Sequence, residues 1–314
     1  MLEPIDAVYT WVDGADPDYA RVREEWASRL GVKTNPERDR DGLELLRYSL
    51  RSLEANAPWI RRIFLVTMRP QAPAWLDGSR AAGRMQLVHH DEIFPRPEDL
   101  PTFNSNAIDF HLANIPGLSS MFLYFNDDYF LGRPLEPQHL LRRGKIRVYL
   151  PRDPIPEPQT EGPLDSWASV LHSTNRLLDR LYGRRRRSKH EHTPCLIRKE
   201  LLCMDAEEIR RTQASRFRAD TDVALETYYS HVLLEEHSGV SQRVPDWEFL
   251  LSTSFHRLEN NSAELRRVVR QLRLRRPRFF CLNDDMGPDP DPRFLRGVRE
   301  FLESYYPRKL PYER

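Results

Sequence analysis

Met121-Phe-Leu-Tyr-Phe-Asn-Asp-Asp128 is the stretch from which the rest of this chain can be read. Five consecutive apolar residues, 121–125, read as a β-strand covered on both faces, the pattern of a sheet enclosed between helices. Asp127 and Asp128 then stand at its C-terminal end, where open α/β sheets bind ligands. Two carboxylates there repel unless a proton or a cation sits between them. A hard divalent metal bridging a nucleotide diphosphate meets that need. An acidic turn closing a strand is the plainer explanation of a single Asn-Asp-Asp. The return of the pattern as Cys281-Leu-Asn-Asp-Asp285 weighs against it.

Strand and helix alternate on either side of this segment. Residues 5–12 read as a strand ending in Asp13-Gly14, 62–67 as a second and 85–89 as a third. Residues 41–57 carry Leu43, Leu46, Leu50, Leu53 and Ala57 on one helical stripe before Pro58. Residues 107–115 read as a helix stopped by Pro116-Gly117. The order predicts a largely parallel, three-layer α/β sheet with helices on both faces. Composition changes after Pro134: 151–165 is rich in proline and acid, 165–182 is helical, and Arg184–Arg187 form a basic run. That run is either solvated surface or an anion-binding loop. Near the C-terminus, Phe294, Leu295, Val298, Phe301, Leu302 and Tyr305 keep helical spacing and read as core.

The chain has 314 residues, 39% hydrophobic and 30% charged, with 48 basic and 47 acidic side chains and a net charge of +1. That balance describes a globular protein with no global field for nucleic acid or an anionic membrane. The positive charge is nearly all arginine, suited to two-pronged contact with phosphate. Cys195, Cys203 and Cys281 form no close-spaced metal motif, and an odd count argues for a reducing compartment. No apolar run approaches the ~18 residues of a membrane span. With a first strand beginning by Ile5, a secretory signal has no room. A cytoplasmic location is expected, with at most peripheral contact at the inner face of the membrane.

Four clusters carry candidate chemistry: Asp13/Asp16, Asp109, Asn126/Asp127/Asp128 and Asn283/Asp284/Asp285. Magnesium needs a few carboxylates plus substrate phosphates, and on spacing alone either Asp-Asp pair supplies them. His192, in Lys189-His-Glu-His-Thr-Pro194, is of the type that deprotonates a hydroxyl near pH 7, against plain surface exposure. His190 beside it suggests zinc, but no cysteine or third ligand lies at a suitable spacing. Arg218 is a phosphate clamp or a helix-end salt bridge. Arg47 and Arg51 share a helix face with Glu44 and read as solvated.

Taken in order, these segments resemble the Stealth family of bacterial capsular and exopolysaccharide sugar-phosphate transferases. The family also includes the catalytic subunits of lysosomal-enzyme N-acetylglucosamine-1-phosphotransferase. The resemblance rests on residues 5–16, on Leu46-Arg-Tyr-Ser-Leu-Arg-Ser-Leu53 through Leu100-Pro-Thr-Phe-Asn-Ser105 to Asn126-Asp-Asp128, on His192-Thr-Pro194 through Arg218, and on Cys281-Leu-Asn-Asp-Asp285 with Tyr306-Pro307. It implies a GT-A-like, Rossmann-like single domain over 1–314, with 135–190 as a variable insertion that contacts the acceptor.

The implied activity moves a sugar 1-phosphate from a UDP-sugar to a glycan or polysaccharide hydroxyl and releases UMP. Its catalytic residues fall on Asp109, Asp128, His192 and Arg218, donor-binding residues on Asp13, Arg47, Asn104 and Asn126. A Mg²⁺ or Mn²⁺ ion falls to Asp127, Asp128, Asn283 and Asp284. Asp109 departs from the family's glutamate by one methylene. Two rival readings are a glycosyltransferase that releases UDP and a non-catalytic sugar-binding component.

Overall fold

The computed structural model describes residues 3–34, 40–155, 166–202 and 205–314. β1 (Ile5–Thr10), β2 (Ile63–Thr67), β3 (Met85–His89) and β4 (Met121–Asn126) run parallel, in the order β3-β2-β1-β4. The α/β class and the mostly parallel sheet are therefore as the alternation predicts. Every residue of β4 through Phe125 is buried, which accounts for a strand with no polar alternation. Register pairs Thr10 with Asn126, so the loops after the two central strands open side by side.

Directly after Asp128 the chain leaves this sheet. β5 (Tyr129–Leu131) starts a second one, and β6 (Leu141–Arg142) pairs antiparallel with β7 (Lys145–Val148). β8 (Cys195–Arg198) returns as an antiparallel edge beside β4, and β9 (Ser241–Arg243) pairs with β7. β10 (Thr253–Leu258) and β11 (Phe279–Asp284) run parallel, with β11 antiparallel to β5. Cys281 thus lies opposite Tyr129, and Leu282 N–H donates to the Asp128 carbonyl at 3.1 Å. The two Asn-Asp-Asp segments, far apart in sequence and in different sheets, meet there.

Helix Leu45–Asn56 is shorter than the predicted 41–57 because Glu44 takes a left-handed φ of 53° that stops helix extension. It is buried on two sides. Leu46, Leu50 and Leu53 join the core of the main sheet. Leu43, Leu45 and Tyr48 join a second core with β11 and helix Pro292–Tyr305, whose Phe294, Val298, Phe301 and Leu302 are buried as predicted. No solvated face is left for Arg51, contrary to expectation. It is buried, donating to Glu313 at 2.6 Å, Glu303 at 2.7 Å and the Tyr306 carbonyl at 3.0 Å. A buried guanidinium requires such pairing.

The predicted 107–115 helix is broken into Ser105–Asp109, capped by Asn104, and a short turn at Leu112–Asn114. Helix Ser166–Tyr182 follows the prediction. In the basic run, Arg187 is buried, pairs with Asp179 and donates to the Leu178 and Gly183 carbonyls. Arg185 pairs with Glu235 at 2.8 Å. These two cations stitch the fold together, while Arg184 and Arg186 are exposed. Most of the proline-rich 151–165 segment, and Cys203, lie outside the described residues. No described helix is long and apolar enough to cross a membrane.

Candidate active site

The parallel strand ends hold a hydrogen-bonded chain that explains why polar residues interrupt the apolar runs. Tyr124, on β4, has its hydroxyl 2.7 Å from Asp109 Oδ1, 2.8 Å from Asn126 Oδ1 and 3.1 Å from Thr10 Oγ1. Asn126 Nδ2 donates to the Tyr129 hydroxyl at 3.0 Å, which donates to Glu226 Oε2 at 3.3 Å. Burial raises the Asp109 carboxyl to about 7, opposed by the Tyr124 hydrogen bond and by the charge of Arg218. Glu226 lies in the first turn of helix Leu225–Glu235, and its buried Oε1 has no hydrogen-bond partner among the described residues. Burial, then Asp109, holds its carboxyl well above the usual range, with Asp128 adding to the effect.

Asp127 and Asp128 lie between β4 and β5. Burial raises both, and the charge of Asp128 and then Asp41 raises Asp127 further. Asp41 itself is pushed to about 7 by burial, despite a 3.0 Å hydrogen bond from Trp11 Nε1, with Asp13 and Glu44 contributing. The acids thus form a series, from Asp13 through Asp41, Asp127 and Asp128 to Glu226 and Asp109. Neither Asp127 nor Asp128 has an ion-pair partner among the described residues. Such a site repels an anionic ligand unless a cation enters with it.

Around Asp128 the second sheet supplies donors. Cys281 Sγ lies 3.1 Å from Asp128 Oδ2, and Asn283 Nδ2 donates to the same oxygen at 3.2 Å. Burial and the adjoining carboxylates keep Cys281 a protonated thiol. A His192 ring nitrogen, an Asp128 carboxylate oxygen and Cys281 Sγ all lie within 4.8 Å of one another. The His192 ring stacks on Phe255 at 4.7 Å and meets Tyr129 edge-on at 6.1 Å. Burial, then Lys189, His190 and Arg257, lowers the imidazole to about 4, so it is neutral at pH 7. His190 is a different case: it is buried, with Nδ1 3.0 Å from Ser230 Oγ and Nε2 3.1 Å from the Thr193 carbonyl. It belongs to the core.

Arg218 is half-buried, donates to Ser105 Oγ at 2.9 Å and lies over Trp167 at 5.8 Å. Its charge reaches Asp109 and Asp222. Asn104 is fully buried and donates to Asp222 at 2.7 Å, which ties the 102–109 segment to the loop carrying Arg218. That burial removes it from direct donor contact. Arg47 pairs with Glu44 at 3.0 Å and Glu303 at 3.6 Å and acts on Asp41. Asp13 Oδ1 accepts from Ala15 N–H at 2.9 Å. Asp284 is drawn away from the expected metal set: Arg40 holds both its oxygens at 2.9 Å.

The donor set suits a hard divalent cation in part. Asp127, Asp128 and the Asn283 amide supply oxygen, and the unpaired buried carboxylates call for positive charge. His192 and Cys281 stand close enough to suit a softer ion, but the thiol is held protonated and engaged with Asp128. The sequence reading missed Glu226, Asp41 and Cys281. Glu226, in the first turn of its helix, had no local signal, while Cys281 opens the Cys281–Asp285 motif already singled out for its Asn-Asp-Asp.

Three segments match sequence models of one family: conserved region 1 of the Stealth proteins over 3–31, conserved region 2 over 38–148 and conserved region 4 over 270–314. His192 and Arg218 fall between them. An exopolysaccharide phosphotransferase of Streptomyces coelicolor is 38% identical over 99% of this chain and 52% of its own length. One of Mycobacterium tuberculosis is 34% identical over 99% of this chain and 58% of its own. The chain therefore spans about half the length of the curated relatives it matches. Among solved structures, mouse xyloside xylosyltransferase 1 superposes with a TM-score of 0.42 and 10% identity over 91% of this chain and 100% of that one.

Proposed function

The chain belongs to the Stealth family, and on that premise we propose that it is an exopolysaccharide phosphotransferase acting on a UDP-sugar. The reading transfers a hexose or N-acetylhexosamine 1-phosphate to a glycan hydroxyl. One observation carries it: a neutral imidazole, His192, stands beside Asp128 among buried carboxyl groups, and neither Asp127 nor Asp128 has an ion-pair partner among the described residues. A neutral base is what an acceptor hydroxyl needs, and a cluster of carboxylates suits a cation-bound diphosphate.

His192 takes the hydroxyl proton as the acceptor oxygen bonds to the phosphorus that carries the sugar. The bond from that phosphorus to the bridging oxygen breaks, and UMP leaves with the electron pair. Arg218 places a guanidinium against the charge that develops on the transferred phosphoryl group. Cys281 and Asn283 orient Asp128, and Asp109 is positioned by Tyr124. Asp127, Asp128 and Asn283 would hold a Mg²⁺ or Mn²⁺ ion, which would neutralise the diphosphate. Asp13 and Arg47 serve the donor end, Asn104 and Asn126 act through the loops they hold, and 135–190 contacts the acceptor.

The test is mass spectrometry of products from a panel of UDP-sugars and glycan acceptors. A diester with UMP supports the reading. UDP as product selects a glycosyltransferase, and donor binding without turnover selects a binding component.

A further inference from the structure

Helix Asp246–Ser252 is built inside out. Trp247, Leu250 and Leu251, at i, i+3 and i+4, would form the buried stripe of an ordinary surface helix. Here they are 65%, 62% and 58% exposed, while Glu248 turns inward to Arg147 at 2.8 Å. Leu274, 74% exposed, extends the same patch, because its neighbour Arg275 donates to the Leu250 carbonyl at 2.6 Å. Half of the eight large apolar side chains exposed among the described residues collect at this one place.

The second helix of the patch, Ser262–Arg275, is strongly basic. Arg266, Arg267, Arg270, Arg273, Arg275 and the cap residue Arg276 are all exposed, and among the described residues only Arg267 has a carboxylate partner, Glu264 at 3.5 Å. Val268 and Leu272 face the core, so the helix is amphipathic with an arginine face outward. Trp and Leu beside exposed arginines, most without a carboxylate partner among the described residues, match an anionic bilayer surface: the apolar groups enter the acyl boundary and the guanidiniums stay at the headgroups. A second copy of the chain fits poorly, because a two-fold contact would set this arginine face against itself.

We propose that the face formed by helices Asp246–Ser252 and Ser262–Arg275 docks peripherally on anionic lipid. The two helices lead into the N-terminal ends of β10 and β11, whereas Asn283 lies near the C-terminal end of β11. Docking therefore uses the end of that strand pair remote from Asn283. The inference stands independently of the proposed reaction.

The test is sedimentation of the purified 314-residue chain with phosphatidylcholine vesicles and with vesicles containing about one-third phosphatidylglycerol, at low and raised salt. Partition onto the anionic vesicles is expected to be at least ~10-fold stronger and to weaken with salt. The double variants Leu250→Ser/Leu251→Ser and Arg270→Glu/Arg273→Glu should each lose most of it with unchanged melting temperature, since these side chains are exposed. Three results would overturn the proposal: no sedimentation with either vesicle, equal sedimentation with both, or a concentration-dependent dimer that the same variants dissolve.

Discussion

The Cys281 thiol lies 3.1 Å from a carboxylate oxygen of Asp128, a contact that joins residues 153 apart in sequence. It is made possible by the antiparallel pairing of β5 with β11 and gives Asp128 a donor with no charge. Cys281→Ser keeps a donor and should retain most turnover. Cys281→Val removes it and should cost about 10- to 100-fold in kcat, the scale of a lost hydrogen bond to a charged group. Equal rates for the two variants would show that the contact has no bearing on Asp128.

Two of the three aspartates expected to bind metal, Asp128 and Asp284, should separate in behaviour. Asp128→Asn is expected to abolish turnover without unfolding the protein, because it removes charge from a repulsive cluster. Asp284→Asn disrupts the Arg40 pair instead and should leave the Mg²⁺ dependence of the rate unchanged. Activity lost in EDTA and restored by Mg²⁺ or Mn²⁺ is the companion measurement, and full activity in chelator removes the metal from the scheme.

Glu226 has no hydrogen-bond partner at one buried oxygen among the described residues, and its charge adds to burial in pushing the neighbouring Tyr124 and Tyr129 hydroxyls up. Glu226→Gln should therefore raise the melting temperature of the metal-free protein and shift the Mg²⁺ dependence to higher concentration. A lower melting temperature with unchanged metal dependence would show that the Tyr129 hydrogen bond is its only contribution.

His192 and His190, two residues apart, should differ in kind. His192→Ala is expected to lower kcat by roughly 10²–10⁴-fold with little change in stability. His190→Ala should destabilise the fold by about 1–3 kcal/mol, because it empties a buried, hydrogen-bonded site. His190 is lowered from 6.5 to about 4 in the fold. Between those values the unfolded chain binds more protons, so its contribution is present above pH 6.5 and fades as pH falls toward 4. Urea unfolding at pH 7 and pH 5 should show a smaller acid loss in His190→Asn than in the unmodified chain.

For Arg218, a two-pronged phosphate contact and a structural tie predict opposite outcomes. Arg218→Lys should lower kcat by about 10-fold or more while leaving the melting temperature unchanged, since an ammonium cannot reproduce the planar contact. Normal turnover with lysine would take Arg218 out of the reaction as drawn.

Much of the main sheet was legible in the sequence by itself. The unbroken apolar run 121–125 and the β-rich runs near 5, 63 and 85 are local patterns, and a strand buried on both faces has a composition that shows it. Likewise the C-terminal stripe of Phe294, Val298, Phe301 and Leu302 needed only helical spacing. The ordered motifs also sufficed to mark Asp128, His192 and Arg218 as candidates. Tertiary structure decided which of the marked polar residues meet. Arg51 and Arg187 became buried ties, Asp284 went to Arg40, His190 went to the core, and Cys281 and Glu226 entered the site unannounced. Helical and strand periodicity reports which side of an element avoids water. The partner of a charge is set by the register of strands drawn from distant parts of the chain, and no local spacing carries that distance.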